Sequence, residues 1–446
     1  MPRQKDENMK ILHTADWHLG KHLDDFPRLE EQQAVLQEIC EIAEREAADV
    51  VLVAGDLFDT FNPSTEAVEL FYRTLKRLTA DGRRPVVAIA GNHDSPDRIE
   101  APDPLARECG IIFAGYPHTL IPPFSLDGGL SVLHSDEGFL ELRIPGTEVP
   151  LRILFTPYAS EYRLKMFLGL GDSEEELRIL LQERWQKLAD RYCDRDGVNI
   201  LVSHLFMIRK GEVFPEEPEE EKPILHVGGA QALYTENIPA QIQYTALGHL
   251  HRTHRVDISR ASASASSSPS PSSSLSSTSL FPFSEPSSSF SASPVFYSGS
   301  PLSYSFAEAA QQKYVLLAEI VPGEAAVVRE IVLTRARKLL RKRATGVDEA
   351  VQWLSENRDA LVELTIVTDT FLTARERKML SAAHPAIVSV IPEVTHADIP
   401  GDSDKRTIDL SRDMETLFHD YFLHVKRQEP NEELMQLFNE ILAEES

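Results

Sequence analysis

Residues 50–59 read VVLVAGDLFD, five apolar residues running without a break into Gly55-Asp56-Leu57-Phe58-Asp59. A run of that length predicts a strand buried on both faces, and the glycine with its carboxylates predicts a tight, polar turn at the strand's carboxyl end. The same grammar recurs on either side. Lys10 to His13 leads into Asp16-Trp17-His18, Val86 to Ala90 into Gly91-Asn92-His93-Asp94, Asn199 to Val202 into Ser203-His204, and Tyr244 to Leu247 into Gly248-His249-Leu250-His251. Between the first two strands Val35, Ile39, Ile42 and Ala43 recur at helical spacing; after the second, Val68, Phe71, Leu75 and Leu78 do so, stopping near Gly82. Strands alternating with helices predict an α/β domain.

Open α/β sheets place their sites at the carboxyl ends of strands, where all five polar clusters fall. Any one cluster is weak, because an Asp-x-His or a lone histidine after a strand is more often a turn or a satisfied core residue. Together they supply Asp16, His18, Asp56, Asn92, His204, His249 and His251, oxygen and nitrogen donors suited to manganese, iron or zinc. Two cations about 3.5–4 Å apart can activate a water and hold both oxygens of an in-line phosphoryl displacement. Holding them that close calls for a bridging carboxylate, expected to offer one oxygen to each ion, and Asp56 on the central turn is the candidate.

Composition bounds the rest. A chain of 446 residues predicts more than one compact unit. Hydrophobic residues make up 42% and no stretch of eighteen apolar residues occurs, so no membrane span is expected. The start, MPRQKDEN, lacks the apolar run of a signal peptide, and Cys40, Cys109 and Cys193 are too few and too scattered for a disulfide framework. Both point to the cytoplasm. A net charge of −25 runs against a nucleic-acid partner, although bound cations invert the local field of an acidic site and a second subunit can supply the electrostatic grip. The densest basic run is Arg335 to Arg343, read first as a solvated surface stretch and second as a DNA contact.

From Ala261 to Pro294 there are 18 serines in 34 residues, too little apolar surface to offset ordering entropy, which predicts a disordered insertion. Order is expected to resume at Val295-Phe296-Tyr297. Strand-like runs at Tyr314 to Ile320 and Leu361 to Val367 predict a smaller α+β domain over 311–400. Over 401–446, Leu410, Met414, Leu417, Tyr421 and Val425, then Leu434, Leu437, Phe438 and Ile441, predict two amphipathic helices that either pack on this chain or face a partner.

Asp-x-His, Gly-Asp-x-x-Asp, Gly-Asn-His-Asp, His and Gly-His-x-His, in this order, resemble the calcineurin-like metallophosphoesterases. Within that superfamily MKILHTADWHLGK, VAGDLFDTFNPS, AGNHDSPDR, SHLFM, ALGHLH and YSGSPLSYSFAEA resemble the SbcD-type nucleases, densely to about residue 310 and loosely beyond. The resemblance implies a four-layer α/β sandwich over residues 9–310, a capping domain over 311–400 and C-terminal helices docking on an SbcC-like SMC-type ATPase. It implies one metal on Asp16, His18, Asp56 and His251 and a second on Asp56, Asn92, His204 and His249, manganese being the expected ion. His93 matches the family's catalytic histidine, which protonates the leaving 3′ oxygen; Asp94 could orient its ring or cap a helix. His13, His22 and His254 match no ligand position. At Asp59, archaeal and eukaryotic relatives often carry a histidine.

The activity implied is a 3′-to-5′ double-strand exonuclease and single-strand endonuclease acting on DNA, in a homodimer paired with an ATPase dimer. No Gly-x-x-x-x-Gly-Lys-Ser/Thr loop occurs, so ATP hydrolysis is expected from the partner. A phosphoprotein phosphatase or nucleotide phosphodiesterase is disfavoured because Thr60 and Phe61 follow Asp59 where phosphatases carry a clamping arginine. A scaffold that has lost catalysis is disfavoured by the intact donor set.

Overall fold

The computed structural model describes residues 8–158, 174–212, 233–256, 293–368 and 372–394, with a few positions beyond 413. The serine-rich insertion up to residue 292 and most of the C-terminal helices therefore lie outside the described residues.

Strands β1 (Met9–Thr14), β2 (Val50–Ala54), β3 (Val86–Ile89) and β4 (Ile111–Ala114) lie side by side and parallel in a first sheet. A second sheet opens with the antiparallel run β5 (Phe124–Ser125), β6 (Ser131–Asp136), β7 (Phe139–Arg143) and β8 (Leu151–Thr156). Beyond β8, β9 (Val198–Ser203), β10 (Tyr244–Leu247) and β12 (Val295–Tyr297) run parallel, and antiparallel β11 (His254–Val256) forms the edge. All five strands expected from the sequence form, shifted by at most one residue at either end.

The sheets stack face to face. Ile11, Leu52, Val87 and Ile112 of the first share one apolar cluster with Ile153, Ile200, Val202 and Ala246 of the second. Alternate residues point the other way: Leu12, Val51, Val53 and Ala88 pack under α1 (Leu29–Arg45) and α2 (Thr65–Leu78), while Leu154, Leu201 and Leu247 pack under α3 (Glu174–Tyr192). This is the expected four-layer sandwich, and burial on both faces explains why these strands read as unbroken apolar runs. Helix α2 starts at Ser64, whose hydroxyl accepts from the Ala67 N–H, and stops because Ala80, Asp81 and Gly82 all take positive φ. Its Phe71 is fully buried, and truncating it to alanine would cost about 3–5 kcal/mol.

One element departs from the sequence-based division. Tyr314–Ile320, expected in the smaller domain, forms β13, which pairs antiparallel with β1 in the register Leu12↔Leu317 and is flanked by β14 (Val327–Val332). Its two faces, Val315 and Leu317 against Leu316, Ala318 and Ile320, join the clusters on either side of the first sheet, so it is a core strand. The smaller sheet is β15 (Leu339–Thr345), β16 (Leu361–Thr368) and β17 (Ile387–Val394), packed with α4 (Val347–Glu356) and α5 (Ala374–Ala383) around Leu354, Val362, Ile366 and Leu380.

The basic run is engaged within the chain. Arg335 pairs with Glu41, Arg341 with Glu363 at 2.7 Å, Lys342 with Glu349 at 2.7 Å and Arg343 with Glu393 at 2.7 Å, which supports the solvated-surface reading. Among the described residues no helix is long and apolar enough to cross a membrane. In the C-terminal segment Phe418 stacks on Phe438, ring centroids 4.0 Å apart, so one residue from each expected amphipathic helix meets the other.

Candidate metal centre

The carboxyl ends of β1, β2 and β3 from one sheet and of β9 and β10 from the other meet at one edge of the sandwich. The loops are tied by their backbones: Asp16 N–H donates to Gly55 O, His18 N–H to Asp56 O and Gly248 N–H to Ser203 O, at 3.0, 3.0 and 3.1 Å. Asp16, His18, Asp56 and His249 all have positive φ, between 42° and 100°, a conformation costing about 1–2 kcal/mol per residue outside glycine. Such strain persists where the surroundings over-determine it, most often at functional sites. Gly248 permits the closest approach, since a Cβ there would lie 2.0 Å from the Ala54 carbonyl.

Each buried aspartate spends one oxygen on a neighbouring loop. Asp16 Oδ1 accepts from His249 N–H at 2.9 Å and Asp56 Oδ1 from His93 N–H at 2.9 Å, which leaves both Oδ2 atoms buried without a partner. Around those atoms two donor sets form. His18 Nε2 lies 3.0 Å from His251 Nε2 and 3.5 Å from Asp56 Oδ2, and one ligand atom from each of Asp16, His18 and Asp56 falls within 4.8 Å of the others. On the other side Asn92 Oδ1 lies 3.0 Å from His204 Nε2 and 3.1 Å from His249 Nδ1, with His204 Nε2 3.4 Å from Asp56 Oδ2. Asp56 Oδ2 therefore faces both sets. Oδ1, which the bridging expectation gave to a second ion, accepts the His93 N–H at 2.9 Å.

The cluster suits cations. His204 Nδ1 must donate to the Ala54 carbonyl at 2.8 Å, since a carbonyl only accepts, so in the neutral ring Nε2 presents a lone pair to Asn92 Oδ1. Two acceptors at that distance repel unless a proton or a cation lies among them, and the facing Nε2 atoms of His18 and His251 pose the same demand. Protons answer it in part: against burial, Asp56 and Asp16 raise His204 to about 9, while burial holds His18 and His249 down to about 3. Burial also pushes the Asp16 carboxyl up to about 6; in Asp56 the same effect is outweighed by His204 and His18, which hold it well below the usual carboxylate range.

The structure thus gathers all seven expected metal-site residues, and the ring of His93 lies edge-on to that of His18 with centroids 4.8 Å apart. His93 Nδ1 donates to the Asp59 carbonyl at 2.8 Å, which leaves Nε2 as the free ring position. Asp94 neither orients that ring nor caps a helix. Its carboxylate accepts from the N–H groups of Leu57, Phe58 and Gly91 at 3.0, 3.0 and 2.7 Å and staples the loops after β2 and β3 together. His13 is buried against Tyr244 across the two sheets, at 2.8 Å, and His22 is exposed.

Some roles are invisible in the sequence. Asp59 stands 3.6 Å from His18 Nδ1 and 2.8 Å from Lys21 Nζ, so the cation beside this position is a lysine from the preceding loop. Gln32, on α1, donates to the His18 carbonyl at 2.8 Å and to Tyr304 Oη at 3.1 Å. A glutamine in an amphipathic helix gives no signal of such a role.

Four layers with this donor set define a calcineurin-like phosphoesterase; the family model of that description matches residues 9–252, and the chain belongs to that family. Within it the chain falls among the SbcD-type nucleases. It is similar to the D subunit of the SbcCD nuclease of Bacillus subtilis (strain 168), 33% identical over 444 residues and covering 98% of each chain. It is also similar to the corresponding SbcCD nuclease chain of Rhodobacter capsulatus, 30% identical over 345 residues, 76% of this chain and 72% of that one. Among solved structures, a dimetal phosphatase from Danio rerio is alike at 12% identity and a TM-score of 0.36, over 73% of this chain and 99% of that one.

Proposed function

We propose that this chain is the nuclease subunit of an SbcCD-type complex, hydrolysing phosphodiester bonds of DNA in end processing with two divalent cations, manganese as the working ion. The observation that carries the reading is Asp56 Oδ2, a buried and unpartnered oxygen shared by two converging donor sets. Asp16, His18, Asp56 and His251 would hold one cation, and Asp56, Asn92, His204 and His249 the other. Bound divalent cations supply charge to the phosphoryl oxygens and make a coordinated water nucleophilic near neutral pH.

The remaining work falls to side chains. His93, anchored through Nδ1 to the Asp59 carbonyl, presents Nε2 to pass a proton to the departing 3′ oxygen. Asp94 keeps the loops bearing Asp56 and His93 in register, and Lys21 places a cation beside the site. The near-full-length match to an SbcCD nuclease chain supports an SbcC-like ATPase as partner, with this chain a homodimer within a heterotetramer in the cytoplasm. Double-strand 3′-to-5′ exonuclease and single-strand endonuclease are the activities proposed.

The test is manganese-dependent release of nucleotides from an end-labelled duplex, with and without an SMC-type ATPase partner, comparing wild type with His93→Ala. The expected result is cleavage by wild type and at least a hundredfold loss in the variant with both metals retained. Turnover of a phosphorylated peptide, with DNA untouched even beside the partner, would reject the substrate.

A further inference from the structure

The segment after β12, Ser298 to Ala309, supplies none of the seven proposed donors, yet it packs a charged side chain directly behind one of them. Glu308 is completely buried. Its Oε1 accepts from the Tyr304 N–H at 3.0 Å and lies 3.8 Å from His251 Nδ1, an atom that is itself buried without a partner. Its Oε2 accepts from Lys313 Nζ, and Lys313 is 4% exposed. The same ammonium donates to the His251 carbonyl at 2.9 Å and to Ser300 Oγ at 3.0 Å, and Ser300 N–H donates to that carbonyl at 3.0 Å. Backbone and ring of His251 are therefore both addressed by one lysine–carboxylate pair.

An ion pair this dry needs a reason. Replacing a buried pair with apolar side chains is often neutral or stabilising, so stability alone is a poor account of Glu308 and Lys313. A metal-binding histidine commonly donates its second ring N–H to a carboxylate, which selects the tautomer, fixes the ring plane and raises ligand basicity. His251 has its Nε2 turned toward His18 and the donor cluster, its Nδ1 turned toward Glu308, and its carbonyl pinned by Lys313. His18 repeats the arrangement nearer the surface, with Asp59 behind its Nδ1 and Lys21 holding Asp59.

We infer that Glu308, held by Lys313, is a positioning residue for His251 that sets the affinity of one of the two metal sites, the one built with Asp16, His18 and Asp56. The inference rests on the proposed two-metal reading. Lys313 aims the carboxylate, the carboxylate 3.8 Å away favours the tautomer that carries its proton on Nδ1, and Nε2 is left as the donor face. The other site, built on Asn92, His204 and His249, lies outside this relay.

The test is a titration of the full-length, metal-stripped protein with manganese, free Mn2+ being followed by its electron paramagnetic resonance signal. The variants are Glu308→Gln, the charge-free double variant Glu308→Gln/Lys313→Met, and His251→Ala; thermal melts of each are taken without metal. Wild type is expected to bind two ions. Both Glu308 variants should bind one as wild type does and the second about ten- to a hundredfold more weakly, with the double variant melting near wild type. Should Glu308→Gln fail to fold with its stranded lysine, the double variant decides the matter. Two ions bound with wild-type affinity by the Glu308 variants, while His251→Ala loses one, would overturn the inference and leave the metal centre standing. Equal weakening of both ions together with a lowered metal-free melt would reduce Glu308 to a structural pair and equally overturn it. Two ions bound undiminished by His251→Ala would instead sink the metal-centre reading itself.

Discussion

Replacing Gly91 with alanine tests the metal centre without removing any proposed donor. A Cβ at this position would lie 2.1 Å from both the backbone nitrogen and the Oδ1 of Asp56, and 2.8 Å from its Cα. Real Cβ contacts do not fall below 3.0 Å, so the loops after β2 and β3 must part by 0.9 Å, the difference between 3.0 and 2.1 Å. Two of the three clashing atoms are backbone, which leaves no flexible side chain to swing aside. That shift moves the one carboxylate shared by both donor sets and breaks its bond to the His93 N–H. Productive sites hold their groups within about 0.5 Å, and misplacement by about 1 Å costs on the order of a hundredfold in rate. The cost in stability should stay within the range for overpacking, about 1–3 kcal/mol. The assay is kcat/KM on a chromogenic phosphodiester with manganese, alongside bound-metal analysis and a thermal melt. A folded Gly91→Ala protein retaining two ions and activity within threefold of wild type would refute the argument that Asp56 is held by close approach of glycine.

Two further outcomes follow from single residues. Asp94→Ala leaves the N–H groups of Leu57, Phe58 and Gly91 without their acceptor and should cost about 3 kcal/mol or more together with most of the activity, Asp94→Asn falling between; an unchanged melt and rate would show that the staple is dispensable. Burial holds His13 down to about 3, only partly offset by the Leu247 carbonyl. An unfolded histidine takes up its proton near pH 6.5, so this contribution is intact above that pH and is lost as pH falls toward 3, at up to about 1.4 kcal/mol per unit. Urea midpoints should therefore show His13→Gln gaining on wild type between pH 7.5 and 5; a constant difference between the two would contradict the neutral buried imidazole.

Several features can be read along the chain because their causes are local. VVLVA at 50–54 is buried on both faces, so its apolar run is continuous, and the turn after it is where polar atoms find room. The same holds at Asn92 and His249, which is why the proposed donors are legible at strand ends. Glu308 carries no such sign: its partner His251 lies 57 positions earlier, across the serine-rich segment, and a lone glutamate in FAEA reads as surface. Asp94 escapes its local reading for a related reason, since a carboxylate beside a catalytic-type histidine and before a short helix has two nearby explanations, and the true one lies 37 positions away at Leu57.

Strand order around the first sheet is likewise a matter of distance. Nothing in YVLLAEI at 314–320 says that it will lie against MKILHT at 9–14, more than 300 positions away, and pairing with β1 depends on the whole intervening domain having folded. By itself the sequence determined the sandwich class, the strands that end in polar clusters and the seven residues proposed as donors, because burial periodicity and turn chemistry act over a few residues. The tertiary structure alone decided that two different sheets bring those ends to one edge, that a single oxygen of Asp56 faces both sets of side chains, and that Lys313 and Glu308 stand behind His251, because each depends on atoms that meet only when distant segments pack.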